Sequence, residues 1–216
     1  MKRCQFRAQM KTEADIKSFL EQNQPSLQER MTGNGVSRLS LFQWDSQLFV
    51  YYECPGEGPA ADPHMLLPGA PEVLRVWPGG AEDRRWAPMA DIFHYQAPVE
   101  ELPWRTAQGS GTPYGRLARL EPDKIASYIF YHYQYQEEKP GDGCKYGIIS
   151  LHEDLMFFYS EKPYLVEKAP YRGKLTTSNT PTDWGAVMDP HFVKWPDSRP
   201  WLDIPLVLHA EIEQGR

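Results

Sequence analysis

A short segment occurs twice in this 216-residue chain, half a chain apart. Asn34-Gly35 followed by LFQWDSQLFVYYE (41–53) lines up with Asp142-Gly143 followed by ISLHEDLMFFYSE (149–161). Both parts of the alignment give an offset of 108 positions, 143 minus 35 and 161 minus 53, and 108 is half of 216. Self-similarity at a fixed period defines the structural unit. The sequence therefore predicts a tandem duplication with domains at 1–108 and 109–216.

The hydrophobic pattern of the first half predicts the order β-α-β-β-α-β. Alternating residues indicate strands, apolar residues three or four apart indicate helices, and Pro and Gly clusters interrupt both. The predicted elements are a strand at 4–10, a helix ending before Asn34, strands at 37–43 and 47–53, an irregular stretch at 55–80, a helix at 82–93 and a strand at 99–104.

The second half repeats this order after a Gly-rich linker at 108–112. Its predicted elements are a strand at 114–120, a helix at 122–138, strands at 145–151 and 155–160, a short helix near 184–192 and a strand at 205–212. This order is that of the ferredoxin-like unit. Two such units can bury the bare faces of their sheets against each other. We expect an α+β fold in which two ferredoxin-like repeats form a pseudo-dimeric α+β barrel.

Charge and composition exclude several classes of partner. The net charge is −6 and no Lys/Arg-rich stretch offsets it, which argues against a nucleic-acid partner. The amino-terminal sequence lacks the apolar run of a signal peptide, and no segment approaches 18 apolar residues, so we expect a cytoplasmic protein without a membrane partner. Cys4, Cys54 and Cys144 show no CxxC spacing, which favours reduced thiols over disulfides or a zinc site.

Sequence motifs for covalent, nucleotide-dependent or metal chemistry are missing. The chain contains no HExxH, Walker-type loop, GxGxxG or GxSxG. His64 and His191 each lie in Asp-Pro-His, but no set of further ligands accompanies them. We therefore expect neither a cofactor nor a metal.

The predicted helix at 122–138 carries the pair that most suggests chemistry. Tyr128 and His132 are four residues apart and therefore lie on one face of the helix, which they share with Ile125 and Ile129. An imidazole beside a phenol on an otherwise apolar face can act as a general acid or base in a small pocket. The alternative is a core histidine packed beside a core tyrosine.

The first half lacks this pair. Aligning the two helices places Phe19 opposite Tyr128 and Asn23 opposite His132, so the candidate site belongs to the second half and the first half carries a degenerate site. Trp184 follows in the second half at a place similar to that of Trp86 in the first, and an indole there can stack on a sugar face or seal the core.

Three segments of the second half together resemble the L-rhamnose mutarotase family. They are YIFYH (128–132), GCKYGII (143–149) and Trp184 shortly before Met188, and the first half is similar through Asn34-Gly35-Val36 and WAPMADI (86–92). The resemblance implies the dimeric α+β barrel fold and a cofactor-free isomerase. It also implies His132 as proton donor and acceptor, with Tyr128, Tyr146 and Trp184 binding the sugar.

The chain departs from the family pattern at two places in the second half. The second tryptophan of the family's pair is Gly185 here, and the Trp-Pro-Glu that usually follows the histidine reads Gln136-Glu137-Glu138. Two alternatives to a mutarotase or epimerase therefore stay open. One is a non-catalytic sugar-binding or interaction module, and the other is a cofactor-free monooxygenase or haem-handling protein on the same fold. The expected assembly is a monomer with an internal pseudo-dimer, or a homodimer.

Overall fold

The fold is α+β, with two antiparallel sheets. The computed structural model describes residues 1–11, 15–56, 58–79, 83–100, 102–105 and 111–212. Among these, the first half of the chain forms strands β1 (Lys2–Gln9), β2 (Arg38–Trp44), β3 (Gln47–Cys54), β4 (Ala87–Pro88) and β5 (Ala90–His94), and helices α1 (Ile16–Asn23), α2 (Leu27–Gly33), α3 (Pro63–Leu66) and α4 (Ala70–Val73).

The second half forms a similar succession of elements with one long helix. Its strands are β6 (Thr112–Leu120), β7 (Ile148–His152), β8 (Leu155–Lys162), β9 (Phe192–Val193), β10 (Leu202–Ile204) and β11 (Leu206–Glu211), and its helices are α5 (Ile125–Glu138) and α6 (Trp184–Met188). A 3₁₀ turn at Pro122–Lys124 leads into α5, where a proline suits the first turn because its missing N–H has no helical partner.

The two sheets have corresponding strand orders. The first is β11-β2-β3-β1-β4. The second, read from the corresponding edge, is β5-β7-β8-β6-β10, and every pairing in both is antiparallel. In each sheet the first and second long strands of one half flank the third. Each sheet also receives one strand from the other half, because β11 pairs with β2 and β5 pairs with β7.

These two strands give the compact units a different extent from the sequence halves 1–108 and 109–216. One unit comprises Met1–Met89 with Pro205–Arg216, and the other comprises Ala90–Ile204. The chain leaves the first sheet after β4 and returns to it with β11. Most of the predicted linker at 108–112 lies outside the described residues, and β6 begins at Thr112.

The hairpins β2–β3 and β7–β8 match in detail at the 108-residue offset. Each has a two-residue loop, and its first residue, Asp45 or Glu153, adopts a positive φ of 50° or 58°. Two-residue hairpin loops require this left-handed conformation, which Asp tolerates better than most residues. The predicted strands 47–53 and 155–160 are thereby confirmed as β3 and β8.

Each unit has its own apolar core. In the first unit, β3 is buried along nearly its whole length and packs with Phe19, Leu27 and Met31 of the helices. In the second, Tyr128 of α5 packs with Phe93 and residues of β6, β7 and β8. Burying one side chain such as Leu or Phe stabilises the folded state by about 1.5–3 kcal/mol.

The predicted helix at 82–93 and strand at 99–104 are wrong in the described part of the chain. Residues 87–94 instead form β4 and β5, and no strand covers 99–100 or 102–104. Pro88 explains the first error, because a proline removes a helical hydrogen bond but is tolerated in an edge strand. In the structure Pro88 lies in β4, the edge strand of the first sheet.

Candidate functional site

The inner face of α5 brings Tyr128 and His132 together as their spacing predicts. Their ring centroids are 3.9 Å apart and their planes differ by 27°, so the two rings stack. Tyr128 is 1% exposed and His132 is 5% exposed. Phe93 from β5 meets the histidine edge-on at 5.2 Å, which fixes the imidazole from a second side.

His132 and Tyr128 line a cavity of about 540 Å³ in the second unit. A cavity of this size suits a small organic molecule. Aromatic side chains from six different segments form much of its wall, among them Phe93, Tyr95, Tyr135, Phe158, Phe192 and Trp201. The aromatic wall offers flat apolar faces against which a sugar or another ring can stack.

Hydrogen bonding determines which nitrogen of His132 faces the cavity. Nδ1 lies 2.9 Å from the main-chain oxygen of Tyr128, and because a carbonyl can only accept, Nδ1 carries the proton. Nε2 has no hydrogen-bond partner among the described residues and is not among the polar atoms sealed from solvent. In the neutral ring, Nε2 therefore presents a lone pair to the cavity.

Burial keeps this imidazole neutral. Desolvation lowers the pKa of His132 to about 4, and this effect outweighs the hydrogen bond to Tyr128, which acts in the opposite direction. The nearby His191 lowers the pKa further. At neutral pH His132 is thus a proton acceptor or a ligand, and it becomes a strong proton donor once it is protonated.

Trp184, the third predicted site residue, lines the same cavity. Its ring lies 4.9 Å from that of His132 and 5.1 Å from that of Tyr135. It is the first residue of α6, whose amino terminus is capped by the Asp183 carboxylate at 3.0 Å from the Ala186 nitrogen. Gly185 follows it at the cavity wall, where a Cβ would lie 3.8 Å from Asp183 Oδ1.

Tyr146, the fourth predicted residue, does not line this cavity. It lies in the turn before β7, where its ring packs against Trp104 at 5.5 Å and under the Arg105 guanidinium at 4.1 Å. Its hydroxyl is buried and has no hydrogen-bond partner among the described residues. The structure thus brings three of the four predicted residues together.

Glu138 at the end of α5 orders the segment that leads to Trp184. Its carboxylate accepts hydrogen bonds from Thr177 Oγ1 at 2.6 Å, the Asn179 nitrogen at 2.9 Å and the Thr180 nitrogen at 2.8 Å. Desolvation alone would raise the pKa of Glu138, but these hydrogen bonds outweigh it and hold the pKa well below its usual range. A residue read as a departure from the family pattern thus positions the approach to the site.

Two further cavity residues, Arg116 and Trp201, were not predicted. The guanidinium carbon of Arg116 on β6 lies 5.4 Å from the ring centroid of Trp201, which precedes β10. They are brought together by the pairing of Arg116 with Asp203 across two strands 87 positions apart, 203 minus 116. Sequence periodicity identifies strands but not their partners, so no local signal indicated this contact.

The corresponding helix position in the first unit has the same hydrogen bond and different chemistry. Asn23 donates its side-chain Nδ2–H to the main-chain oxygen of Phe19 at 2.8 Å, as His132 does to Tyr128. This agreement supports the predicted alignment of the two helices. The predicted alignment of Trp86 with Trp184 does not match the strand pairing. Strand β4 pairs with β1 as β10 pairs with β6, and the tryptophans that precede β4 and β10 are Trp86 and Trp201.

Metal and membrane features were also sought in the described part of the chain. It contains no group of three or more His, Cys, Asp or Glu side chains placed to hold a metal ion. Within the same residues, no helix has the length and apolar character needed to cross a membrane.

The fold and site define an α+β protein with an aromatic cavity of small-molecule size around one neutral histidine. No protein-family model and no curated protein matches the chain. Among solved structures it is similar to a "Putative monooxygenase" from Fusobacterium nucleatum subsp. nucleatum ATCC 25586, at 7% sequence identity and a TM-score of 0.46. The match covers 99% of this chain and 95% of that chain. So weak a likeness assigns neither family nor activity.

Proposed function

We propose that the cavity around His132 is the active site of a cofactor-free sugar mutarotase or epimerase, as the family resemblance implies. The observation that carries the proposal is the open Nε2 of a neutral His132, stacked on Tyr128 and flanked by Trp184 in one aromatic cavity. Mutarotation requires a group that moves one proton, and an aromatic face can bind the sugar ring. The cavity contains both.

The chemistry of mutarotation fits a single histidine with these properties. Nε2 accepts the proton of the anomeric hydroxyl, the electron pair of that O–H bond forms the C1=O1 carbonyl, and the bond from C1 to the ring oxygen breaks. The ring oxygen then takes the proton from Nε2. After rotation about the C1–C2 bond, the same steps in reverse close the ring on the other face. The low pKa of His132 favours the return of the proton.

The proposal extends to the fold. The two sheets share one order of long strands, their hairpins match at an offset of 108, and α1 and α5 carry the same side-chain to main-chain hydrogen bond. These correspondences support two tandem ferredoxin-like repeats arranged as a pseudo-dimeric α+β barrel. The proposal includes a cytoplasmic location, and either a monomer with an internal pseudo-dimer or a homodimer.

The test is anomer exchange measured by saturation-transfer NMR on L-rhamnose and a panel of other aldoses. We expect acceleration by the wild-type protein and a loss on the order of 10² to 10⁴ in His132→Asn, because each well-placed proton transfer contributes about that factor. His94→Asn is the matched control, since His94 bonds to Asp91 and does not line the cavity. Exchange at the uncatalysed rate for every aldose would refute the catalytic proposal.

Two observations favour a second candidate, a non-catalytic sugar-binding module. Gly185 replaces the second indole that the family resemblance implies, and Tyr146 lies away from the cavity. A cavity that has lost these contacts can retain binding after it has lost catalysis. This candidate predicts ligand-induced thermal stabilisation without any acceleration of anomer exchange.

A haem-handling protein is the third candidate, and the hydrogen bonding of His132 favours it. Metal-ligating histidines almost always donate their second ring N–H to a carbonyl or carboxylate, as Nδ1 does to Tyr128. The absorbance spectrum after addition of haemin distinguishes the candidates. A Soret band that is present in the wild type and lost in His132→Asn would favour haem binding over sugar chemistry.

A further inference from the structure

Arg116 places a guanidinium in the cavity wall, and the proposed mutarotation has no use for it. It lies on β6, and its side chain is 34% exposed. A neutral sugar needs hydroxyl partners and no counter-ion. The presence of a cation in an otherwise aromatic wall therefore bears on what the cavity binds.

Asp203 and Trp201 are neighbours of this guanidinium, although its Nε is buried and makes no hydrogen bond with the described residues. Its Nε lies 3.2 Å from Asp203 Oδ1, and its carbon lies 5.4 Å from the centre of the Trp201 ring. Asp203 is fixed in turn by the Tyr114 hydroxyl, which donates to Oδ1 at 2.7 Å. The two terminal nitrogens of Arg116 have no hydrogen-bond partner among the described residues. Terminal guanidinium nitrogens match the two oxygens of a carboxylate.

The other charged group of the wall does not compete for Arg116. Asp189 also lines the cavity, but its Oδ1 is 2.5 Å from the Lys194 ammonium, which neutralises it. Asp203 is 61% exposed, and its ion-pair contact with the guanidinium is the 3.2 Å distance from Oδ1 to Nε. The terminal nitrogens are thus the positive element that remains available in the cavity.

A continuous row of rings connects Arg116 to His132. Tyr128 stacks on His132 at 3.9 Å, Phe192 meets Tyr128 at 5.7 Å, and Trp201 meets Phe192 at 6.1 Å. Each of these rings lines the cavity. A ligand with an apolar or sugar body can lie along this row with a charged group at Arg116.

We propose that the cavity takes a carboxylate-bearing ligand, a sugar acid of the hexuronate type, whose carboxylate is bound by the terminal nitrogens of Arg116. The body of the ligand lies on Phe192 and Trp201, and its anomeric hydroxyl faces Nε2 of His132. This assignment rests on the proposed function for the choice of a sugar. The carboxylate site itself depends only on Arg116 and the rings.

The experiment compares ligand pairs in which one member carries a carboxylate and the other is neutral. Binding of D-galacturonate and D-galactose, and of benzoate and benzamide, is measured by isothermal titration calorimetry with the full chain at low salt. The variants are Arg116→Gln, which removes the charge, and Arg116→Lys, which keeps the charge but lacks the pair of terminal guanidinium nitrogens. Arg119→Gln is the control, because Arg119 lies on the same strand, bonds to Asp154 and does not line the cavity.

We expect the wild type and Arg119→Gln to bind the carboxylate of each pair at least about tenfold more tightly than its neutral partner, as charge-assisted hydrogen bonds allow. Arg116→Gln should lose this preference and Arg116→Lys should keep part of it. Equal binding of both members of each pair to the wild type would overturn the inference, and so would a preference that survives in Arg116→Gln. Equal binding by the wild type overturns the inference without any variant, and Arg116→Lys tests the role of Arg116 if Arg116→Gln does not fold.

The outcomes separate this inference from the proposed function. Binding of galacturonate and benzoate through Arg116 without accelerated anomer exchange would refute the mutarotase and leave the carboxylate site standing. Accelerated exchange of neutral aldoses without any preference for carboxylates would support the mutarotase and overturn the carboxylate site.

Discussion

Helices α1 and α5 occupy corresponding places in the two sequence halves, yet only α5 carries titratable side chains at the two aligned positions, with Tyr128 and His132 opposite Phe19 and Asn23. Both use a side chain to bond the main-chain oxygen four residues earlier, Asn23 to Phe19 and His132 to Tyr128. The amide of Asn23 fulfils this local role completely. Because an imidazole has a second nitrogen, His132 fulfils the same role and still offers a lone pair to the cavity. The difference shows that a structural hydrogen bond can orient a catalytic candidate.

The largest expected effect comes from giving α5 the residue that α1 has. His132→Asn keeps a donor for the Tyr128 carbonyl but removes Nε2, so anomer exchange should fall by about 10² to 10⁴ while the fold is retained. Saturation-transfer NMR measures the rate, and circular dichroism reports the fold. The reciprocal change, Asn23→His, should add no activity. If anomer exchange in His132→Asn were as fast as in the wild type, the difference between His132 and Asn23 would have no role in catalysis.

The acid stability of the protein should reveal the buried histidine. The pKa of His132 in the folded state is about 4, below the ordinary value of 6.5, so its contribution to stability is fully present above pH 6.5. This contribution is lost as the pH falls from 6.5 through 4. The loss amounts to about 3 kcal/mol once His132 is protonated in the folded protein as well. Urea unfolding at pH 7 and pH 4 should show a smaller loss in His132→Asn than in the wild type. Equal losses would mean that His132 is readily protonated in the folded protein.

The aromatic partners of the two helices should not be interchangeable. Phe19→Tyr places a hydroxyl in the apolar core of the first unit, where Phe19 is 1% exposed, and should cost about 1–3 kcal/mol. Tyr128→Phe removes a hydroxyl that has no hydrogen-bond partner among the described residues, and should change stability by less than about 1 kcal/mol. Urea unfolding measures both. A large loss in Tyr128→Phe would reveal a bond that the hydroxyl makes.

The smallest effect is expected at the end of α5. Glu138→Gln weakens the hydrogen bonds to Asn179 and Thr180, so their amide protons should exchange faster with solvent while the global stability changes little. Hydrogen exchange followed by NMR resolves these two amides. Glu29→Gln in α2 is the control in the first unit. Unchanged exchange at Asn179 and Thr180 would show that Glu138 does not order the approach to Trp184.

Local sequence pattern predicted the parts of this molecule that depend on neighbours in the chain. The face shared by Tyr128 and His132 follows from the spacing of four residues, and the strands β3 and β8 follow from their apolar runs. The positions of the two hairpin turns also follow from local signals, although each loop has two residues where the predicted strands left three. Each of these features is determined within a few residues, where periodicity and turn chemistry act.

The remaining features depend on contacts that local pattern does not encode. Arg116 reaches Trp201 because β6 pairs with β10, and Tyr146 points to Trp104 because of the turn before β7. The segment at 82–93 has a helix-like composition, yet the sheet edge accepts Pro88 where a helix would not. Strand partnership is decided by the whole core, so a single sequence indicated the strands but left their neighbours open.

The exchange of β5 and β11 between the sheets has a consequence for the order in which the protein folds. Arg38 of β2 pairs with Glu211 of β11 across 173 positions of chain. During synthesis, β2 therefore cannot form its hydrogen bonds with β11 until nearly the whole chain has been made. Contacts this distant in sequence slow folding and leave a strand edge exposed meanwhile. We expect the first unit to complete its sheet only after the second has been made, despite being translated first.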